Sequence, residues 1–82
     1  MPPTEDQMLA DVNSVFQDIL EDDDLVLTPA FARADQPKWD SMNHLNLIMA
    51  MEMKYGVKYS VVEIEKIQSV ADLLSVTQAK LK

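Results

Sequence analysis

Several residue types that carry common chemistries are scarce in this chain of 82 residues, which has no cysteine, one glycine and one histidine. Without cysteine there is no disulfide framework and no thiolate metal site, and one histidine cannot form a multi-imidazole site. We therefore predict no metal site. A chain of this length also buries too little surface for a deep active-site cleft. We predict a single domain spanning residues 1–82.

Long apolar runs and basic segments are lacking as well. No apolar run reaches the roughly 18 residues that span a bilayer, and the N-terminal residues MPPTEDQML lack the basic-then-apolar order of a signal peptide. We therefore expect no membrane span and a cytoplasmic location. Residues 1–37 hold nine acids and one Arg, whereas residues 38–82 hold five acids and six Lys. Because this acidic excess repels phosphate backbones, we expect no nucleic-acid partner.

Capping signals and apolar periodicity predict an all-α fold. Three helix starts have the spacing of capping boxes, the last with Asp in place of Glu or Gln: Thr4 to Gln7, Ser60 to Glu63 and Ser69 to Asp72. A further helix is predicted from about Ser41 to Tyr55, where the only glycine, Gly56, ends it. The first helix should end near the acidic residues 21–24, since acids oppose the negative end of the helix dipole.

Residues 25–39 show no sustained period and contain two prolines, so they predict a long, folded-back loop. Loops of this length are uncommon in compact domains and are often functional. Four apolar residues could pin the loop to the core: Leu25, Leu27, Phe31 and Trp39. The predicted fold is thus a four-helix bundle with a long first loop and a short third helix.

The second helix begins with two adjacent residues that both suit a helix start, Asp40 and Ser41. Ser41 is followed three residues later by His44 and is therefore in no capping box. Asp40 is at least as good a cap by residue type, and its negative charge suits the positive end of the helix. The Ser41 hydroxyl is then expected to be free and exposed, at the helix end that favours anions. From these two residues alone, a redundant helix start remains the simpler interpretation.

Two apolar stripes run along the second helix, one formed by Leu47, Ile48, Met51 and Tyr55 and the other by Met42, Leu45, Met49 and Met53. A helix that is apolar on two sides is either deeply buried or keeps one side for a partner. Because four helices leave little room for full burial, we favour the partner interpretation for the second stripe.

Other interpretations of these residues are weaker. Asp40, Ser41 and His44 could suggest a hydrolase, but a working triad also needs an oxyanion hole and a cleft. The run EDDD lacks the glycine and the glutamate of a calcium loop. We predict no catalytic residue. A small helical adaptor without a covalent cofactor remains the serious alternative.

The segment WDSMNHLNLIMAMEMKYGVKY, followed by EIEKIQSVADLL, resembles acyl carrier proteins and the related carrier domains of polyketide and nonribosomal peptide synthesis. Those proteins are four-helix bundles with a long first loop, a short third helix and an Asp-Ser-Leu motif opening the second helix. Three features depart from that pattern. Met42 replaces the leucine, Lys38 stands where many relatives have glycine, and the second helix is less acidic.

The resemblance implies that Ser41 receives 4′-phosphopantetheine from coenzyme A through a separate phosphopantetheinyl transferase. The thiol of that arm would carry acyl or aminoacyl thioesters between ligase, synthase or acyltransferase partners of fatty-acid, polyketide, peptide or specialised acyl metabolism. The protein would then be a carrier and not an enzyme, and we expect a monomer. The residues expected to contact partners are Asp40, Met42, Leu45, Met49 and Val62.

Overall fold

A computed structural model describes residues 4–81, and within this range the chain forms four α-helices. Their bounds are α1 Glu5–Ile19, α2 Ser41–Tyr55, α3 Val61–Lys66 and α4 Val70–Leu81, with a 3₁₀ turn at Arg33–Asp35 in the first loop. The predicted all-α bundle with a long first loop and a short third helix is confirmed. Of the single domain predicted over residues 1–82, residues 1–3 and 82 lie outside the described part.

Serine or threonine hydroxyls accept hydrogen bonds at three helix starts: Thr4 from the Gln7 amide at 3.2 Å, Ser60 from the Glu63 amide at 3.2 Å and Ser69 from the Asp72 amide at 3.1 Å. The reciprocal bond of a capping box is present at α1 and α3. At α4 the Asp72 carboxylate instead accepts the Gln68 amide at 3.0 Å. At the third predicted capping box, the Ser69 hydroxyl therefore caps the helix as expected, but the Asp72 carboxylate does not return a bond to the Ser69 amide.

The end of α1 is shaped by the backbone of Glu21, which has a positive φ of 54°. The Asp22 amide donates to the Gln17 carbonyl at 3.0 Å, and the Glu21 amide points to the Asp18 carbonyl at 3.4 Å. These two contacts form a Schellman motif, in which the left-handed position usually holds glycine. The predicted end of α1 near residues 21–24 is confirmed. Besides the acidic charge that opposes the helix dipole there, the end of the helix has a strained backbone at Glu21.

The long first loop is fastened to α1 by side-chain hydrogen bonds. Asn13 Oδ1 accepts the Leu27 amide at 2.7 Å, and Gln17 Nε2 donates to the Leu25 carbonyl at 2.9 Å. Leu27 is buried, and Leu25 packs half-buried against the core. These contacts satisfy backbone groups that a folded-back loop would otherwise leave unpaired.

The second half of the loop is tied to the start of α4. The Arg33 amide donates to the Gln68 carbonyl and the Val70 amide donates to the Phe31 carbonyl, both at 2.9 Å. Trp39, at the end of the loop, is buried with its ring centroid 4.9 Å from that of Phe16, edge to face. All four apolar residues predicted to pin the loop therefore contact the core. This fastening fixes the backbone that enters α2.

The core lies between α1, α2 and α4 and includes the buried Trp39 of the loop. The buried residues on the three helices are Met8, Val12, Phe16, His44, Leu47, Ile48, Met51, Val70, Leu73, Leu74 and Thr77. The hydroxyl of Thr77 donates to the Leu73 carbonyl at 2.7 Å and also bonds to the Tyr59 hydroxyl, so this buried polar group is satisfied. Within residues 4–81, no helix combines the length and apolar character that a membrane span requires.

Candidate functional site

The cap of α2 is made by Asp40. Its Oδ1 accepts the Asn43 amide at 2.8 Å, and its own carbonyl accepts the His44 amide at 2.8 Å. Asn43 Nδ2 also reaches back to the Lys38 carbonyl at 2.7 Å. The predicted N-cap is therefore present, and the turn before α2 is held from both sides. Because Asp40 accepts the Asn43 amide at the helix start, the Ser41 hydroxyl is not needed for capping.

Ser41 is the first residue of α2, and its side chain is exposed. Its Oγ lies 3.4 Å from Arg33 Nη2, the contact at the long end of hydrogen-bond distances. The guanidinium is also held by its Nε, which donates to the Trp39 carbonyl at 3.1 Å. The hydroxyl is thus exposed, as predicted, but a cation lies beside it. No motif in the sequence points to Arg33, although it is the only basic residue in residues 1–37.

His44 lies on the inner side of the same turn. It is buried, and its Nδ1 accepts a hydrogen bond from Trp39 Nε1 at 2.9 Å. Its Nε2 lies 2.7 Å from the Ile64 carbonyl. Since an indole N–H can only donate, Nδ1 is the unprotonated nitrogen and Nε2 carries the hydrogen. Both ring nitrogens are occupied, so His44 is not available as a base for Ser41.

These contacts remove the support for a hydrolase. The three residues Asp40, Ser41 and His44 share one turn, but the acid caps the helix and the imidazole bonds to Trp39 and Ile64. The part of the chain that the structure describes contains no cleft. Nor does any group of three or more His, Asp or Glu side chains in residues 4–81 have an arrangement that could hold a metal ion. His44 instead joins α2 to α3.

The second apolar stripe of α2 faces outward, and we call it the exposed apolar face; its members are Met42, Leu45, Met49 and Met53. Met42 is 73% exposed, Leu45 52% and Met49 57%, whereas Leu47 on the first stripe is 1% exposed. Large apolar side chains grouped in this way mark a contact surface more often than scattered ones do. The face begins at Met42, directly after Ser41.

The short helix α3 adds two further exposed apolar residues, Val61 and Val62. The bond from His44 to the Ile64 carbonyl joins this helix to the first turn of α2. At its other side, Glu63 pairs with Lys80 of α4 at 2.7 Å, and this bond, with the Ser60 cap, lowers the pKa of the Glu63 carboxyl. The predicted partner residue Val62 therefore lies on a helix that is fastened to both of its neighbours.

The far end of α2 is fastened to α1 by Tyr55. Its hydroxyl donates to Asp11 Oδ2 at 2.9 Å. Burial, and then the hydrogen bond to the Asp11 carboxylate, raise the pKa of the Tyr55 hydroxyl above its ordinary value of 10.0. The negative charge of Asp11 favours the protonated phenol. Hydrogen bonds therefore hold α2 at both of its ends, at Asp40 and at Tyr55.

Comparisons with known proteins agree with this architecture. The acyl carrier protein of Thermotoga maritima is 29% identical over 76 residues, which are 93% of this chain and 94% of that protein. The solution structure of holo acyl carrier protein from Geobacter metallireducens has a TM-score of 0.81 at 34% identity, covering 89% of this chain and 84% of that one. A crystal structure of an acyl carrier protein from Thermotoga maritima has a TM-score of 0.81 at 20% identity, covering 94% of this chain and 89% of that one, and it supports the fold alone. No family model matches the chain.

Proposed function

Because the chain belongs to the acyl carrier protein family, we propose that it carries acyl or aminoacyl groups on a 4′-phosphopantetheine arm attached to Ser41. The observation that carries the proposal is the division of roles between two adjacent residues. Asp40 caps α2, whereas the Ser41 hydroxyl is exposed at the first helical position. A side chain that is exposed and not needed for the helix can be modified without loss of the fold.

The surroundings of Ser41 fit a group that enters as a phosphodiester. The positive end of a helix favours an anion, since the first amides point outward and the dipole adds partial positive charge. The Ser41 hydroxyl stands at that end of α2. When bound, the arm supplies a terminal thiol that holds the acyl or aminoacyl cargo as a thioester. The chain itself, which has no cysteine, offers no thiol for this purpose.

Attachment requires one bond to form and one to break. Ser41 Oγ would bond to the phosphorus next to the pantetheine of coenzyme A, and the bond from that phosphorus to 3′,5′-ADP would break. The hydroxyl proton must leave to another group. Since both nitrogens of His44 are engaged with Trp39 and Ile64, we assign that base to a phosphopantetheinyl transferase. The chain is accordingly the substrate of this reaction and not its catalyst.

Mass spectrometry tests the proposal. The chain is incubated with coenzyme A, magnesium and a phosphopantetheinyl transferase, and the intact mass should increase by one phosphopantetheine group. Peptide mapping should place the group on Ser41, and Ser41→Ala should remain unmodified while keeping its helical spectrum. An unmodified wild-type chain would favour the helical adaptor without a covalent cofactor, and a modified peptide that lacks Ser41 would refute the assignment.

We further propose that partner enzymes dock on the exposed apolar face, together with Asp40 and Val62. The face begins beside Ser41, so an enzyme that acts on the arm must approach it. Its members include three methionines, whose flexible side chains suit a surface that meets more than one partner. Charge has a smaller part here, because the acids of this chain are concentrated in residues 1–37 and not on α2. Those acids are expected mainly to speed the encounter.

Two leucines of α2 provide a matched test of docking. Leu45→Ala should slow transfer of the arm and of acyl groups while leaving the fold intact, because truncating a side chain at an interface centre costs on the order of 2 kcal/mol. Leu47→Ala makes the same change on the buried stripe and should instead lower stability by about 2–5 kcal/mol. Added salt should slow transfer less than Leu45→Ala does. If modest salt abolishes transfer and Leu45→Ala has no effect, docking is driven by charge.

A further inference from the structure

Arg33 is the only arginine in the sequence, since the other six of its seven basic residues are lysines. It is also the only base in residues 1–37, where it stands among nine acids. In the fold its guanidinium lies beside Ser41, with Nη2 3.4 Å from Oγ. The single cation of the acidic half of the chain is thus placed against the proposed attachment residue.

The position of the Arg33 side chain is fixed at both ends. Its backbone amide donates to the Gln68 carbonyl at 2.9 Å, which ties the residue to the start of α4. Its Nε donates to the Trp39 carbonyl at 3.1 Å. A group held in this way has already lost much of the side-chain freedom that a new contact would otherwise restrict. Arg33 therefore needs little further ordering to bind a ligand at Ser41.

Charge pairing within the protein does not account for this placement. Among residues 4–81, the one side-chain ion pair joins Lys80 to Glu63, and Arg33 has no carboxylate partner. The nearby Asp40 carboxylate accepts the Asn43 amide. The contact from Arg33 to the neutral Ser41 hydroxyl is long and adds little stability. Arg33 is half-buried, and its guanidinium thus has nitrogen donors available for an anion.

We propose that Arg33 binds the phosphate of the arm on Ser41 and so determines the direction in which the arm leaves α2. This inference rests on the proposed function. A phosphodiester on Ser41 would carry its charged oxygens on the phosphorus bonded to Oγ, the atom that Nη2 already contacts. Arginine suits this role because its planar set of donors forms strong, directional bonds to phosphate oxygens, whereas lysine acts as a point charge. The phosphate is thereby held between Arg33 and the positive end of α2.

The test compares apo and holo forms of four chains: wild type, Arg33→Gln, Arg33→Lys and the control Lys38→Gln, which removes a nearby cation with no observed contact to Ser41. Two quantities are measured, the holo-minus-apo difference in unfolding temperature and the ³¹P chemical shift of the arm. Loss of the bond to the Trp39 carbonyl affects apo and holo forms alike, so it cancels in the difference.

We expect wild type and Lys38→Gln to show the same stabilisation by the arm and the same ³¹P shift. Arg33→Gln should lose the stabilisation and move the ³¹P signal, and Arg33→Lys should fall between them. High salt should reduce the wild-type difference toward that of Arg33→Gln. If Arg33→Gln keeps the wild-type difference and the wild-type ³¹P signal, Arg33 does not bind the phosphate.

A second measurement needs no variant and covers the case in which Arg33→Gln does not fold or is not modified. Because the chain has one arginine, its guanidinium nitrogens give unambiguous signals in ¹⁵N spectra. These signals should shift, and their hydrogens should exchange more slowly, when the arm is attached to the wild-type chain. Unchanged signals on a fully modified chain overturn the role of Arg33 alone. A wild-type chain that accepts no arm overturns both proposals.

Discussion

Replacing Asp40 and Ser41 one at a time tests the physical basis of the site. Asp40→Ala removes the acceptor of the Asn43 amide, a bond of 2.8 Å at the first turn of α2. Loss of an N-cap costs about 0.5–2 kcal/mol, and part of this cost comes from losing a negative charge at the positive end of the helix. Since 1 kcal/mol shifts the unfolding temperature of a domain of this size by about 4–8 °C, a loss of about 0.5–2 kcal/mol should lower the unfolding temperature by roughly 2–16 °C.

Ser41→Ala should behave differently, although it changes the adjacent residue. The serine is exposed, and its one side-chain contact is the 3.4 Å approach of Arg33. Alanine also has the higher helix propensity, which offsets the lost contact. The free energy of unfolding should therefore change by less than about 0.5 kcal/mol, while attachment of the arm is abolished.

Asp40→Asn separates the two contributions of the cap, because asparagine keeps an acceptor oxygen and lacks the charge. Its cost should be about 0.3–1 kcal/mol and should decrease in high salt. Urea unfolding is followed by circular dichroism and by the fluorescence of Trp39, the only tryptophan, which is buried. Coincident transitions would confirm two-state unfolding. If Ser41→Ala costs as much as Asp40→Ala, Ser41 contributes to the cap, and its independence of the fold is refuted.

Three further predictions concern contacts away from Ser41. Glu21→Gly should raise stability by about 1 kcal/mol, since glycine adopts the φ of 54° without strain; an unchanged urea midpoint would contradict this. Tyr55→Phe removes the bond to Asp11 and should cost about 1 kcal/mol at neutral pH. Because the folded-state pKa of Tyr55 is raised, wild type loses this advantage as the pH rises above about 10. The difference in the free energy of unfolding between wild type and Tyr55→Phe should therefore shrink above that pH; a difference that stays constant would contradict the raised pKa. Glu63→Gln keeps an amide acceptor for the Ser60 cap but loses the pair with Lys80. Since the folded-state pKa of Glu63 is lowered, the wild-type advantage should be present at neutral pH and disappear as the pH falls through that pKa in acid; a difference that persists below it would contradict the assignment.

Much of the fold could be predicted from the sequence because its determinants are local. A hydroxyl that accepts an amide three residues later, as at Thr4 and Ser60, needs no tertiary contact to form. The glycine after α2 adopts a left-handed φ of 66°, as its residue type predicts. The two stripes of α2 are likewise visible as periodicity. The cap at Asp40 and the exposure of Ser41 belong to this local class.

The tertiary structure decided the features that join residues distant in the chain. Which stripe of α2 is buried depends on how the helices pack, and that packing buries Leu47 and leaves Leu45 exposed. The sequence shows His44 only as a neighbour of Asp40 and Ser41, because its partner, the Ile64 carbonyl, lies 20 residues away in the chain. Arg33 reaches Ser41 from a loop that a backbone bond to Gln68 ties to the start of α4. Contacts between residues so far apart in the chain depend on the free energy of closing the loops between them. Local sequence patterns do not predict this free energy.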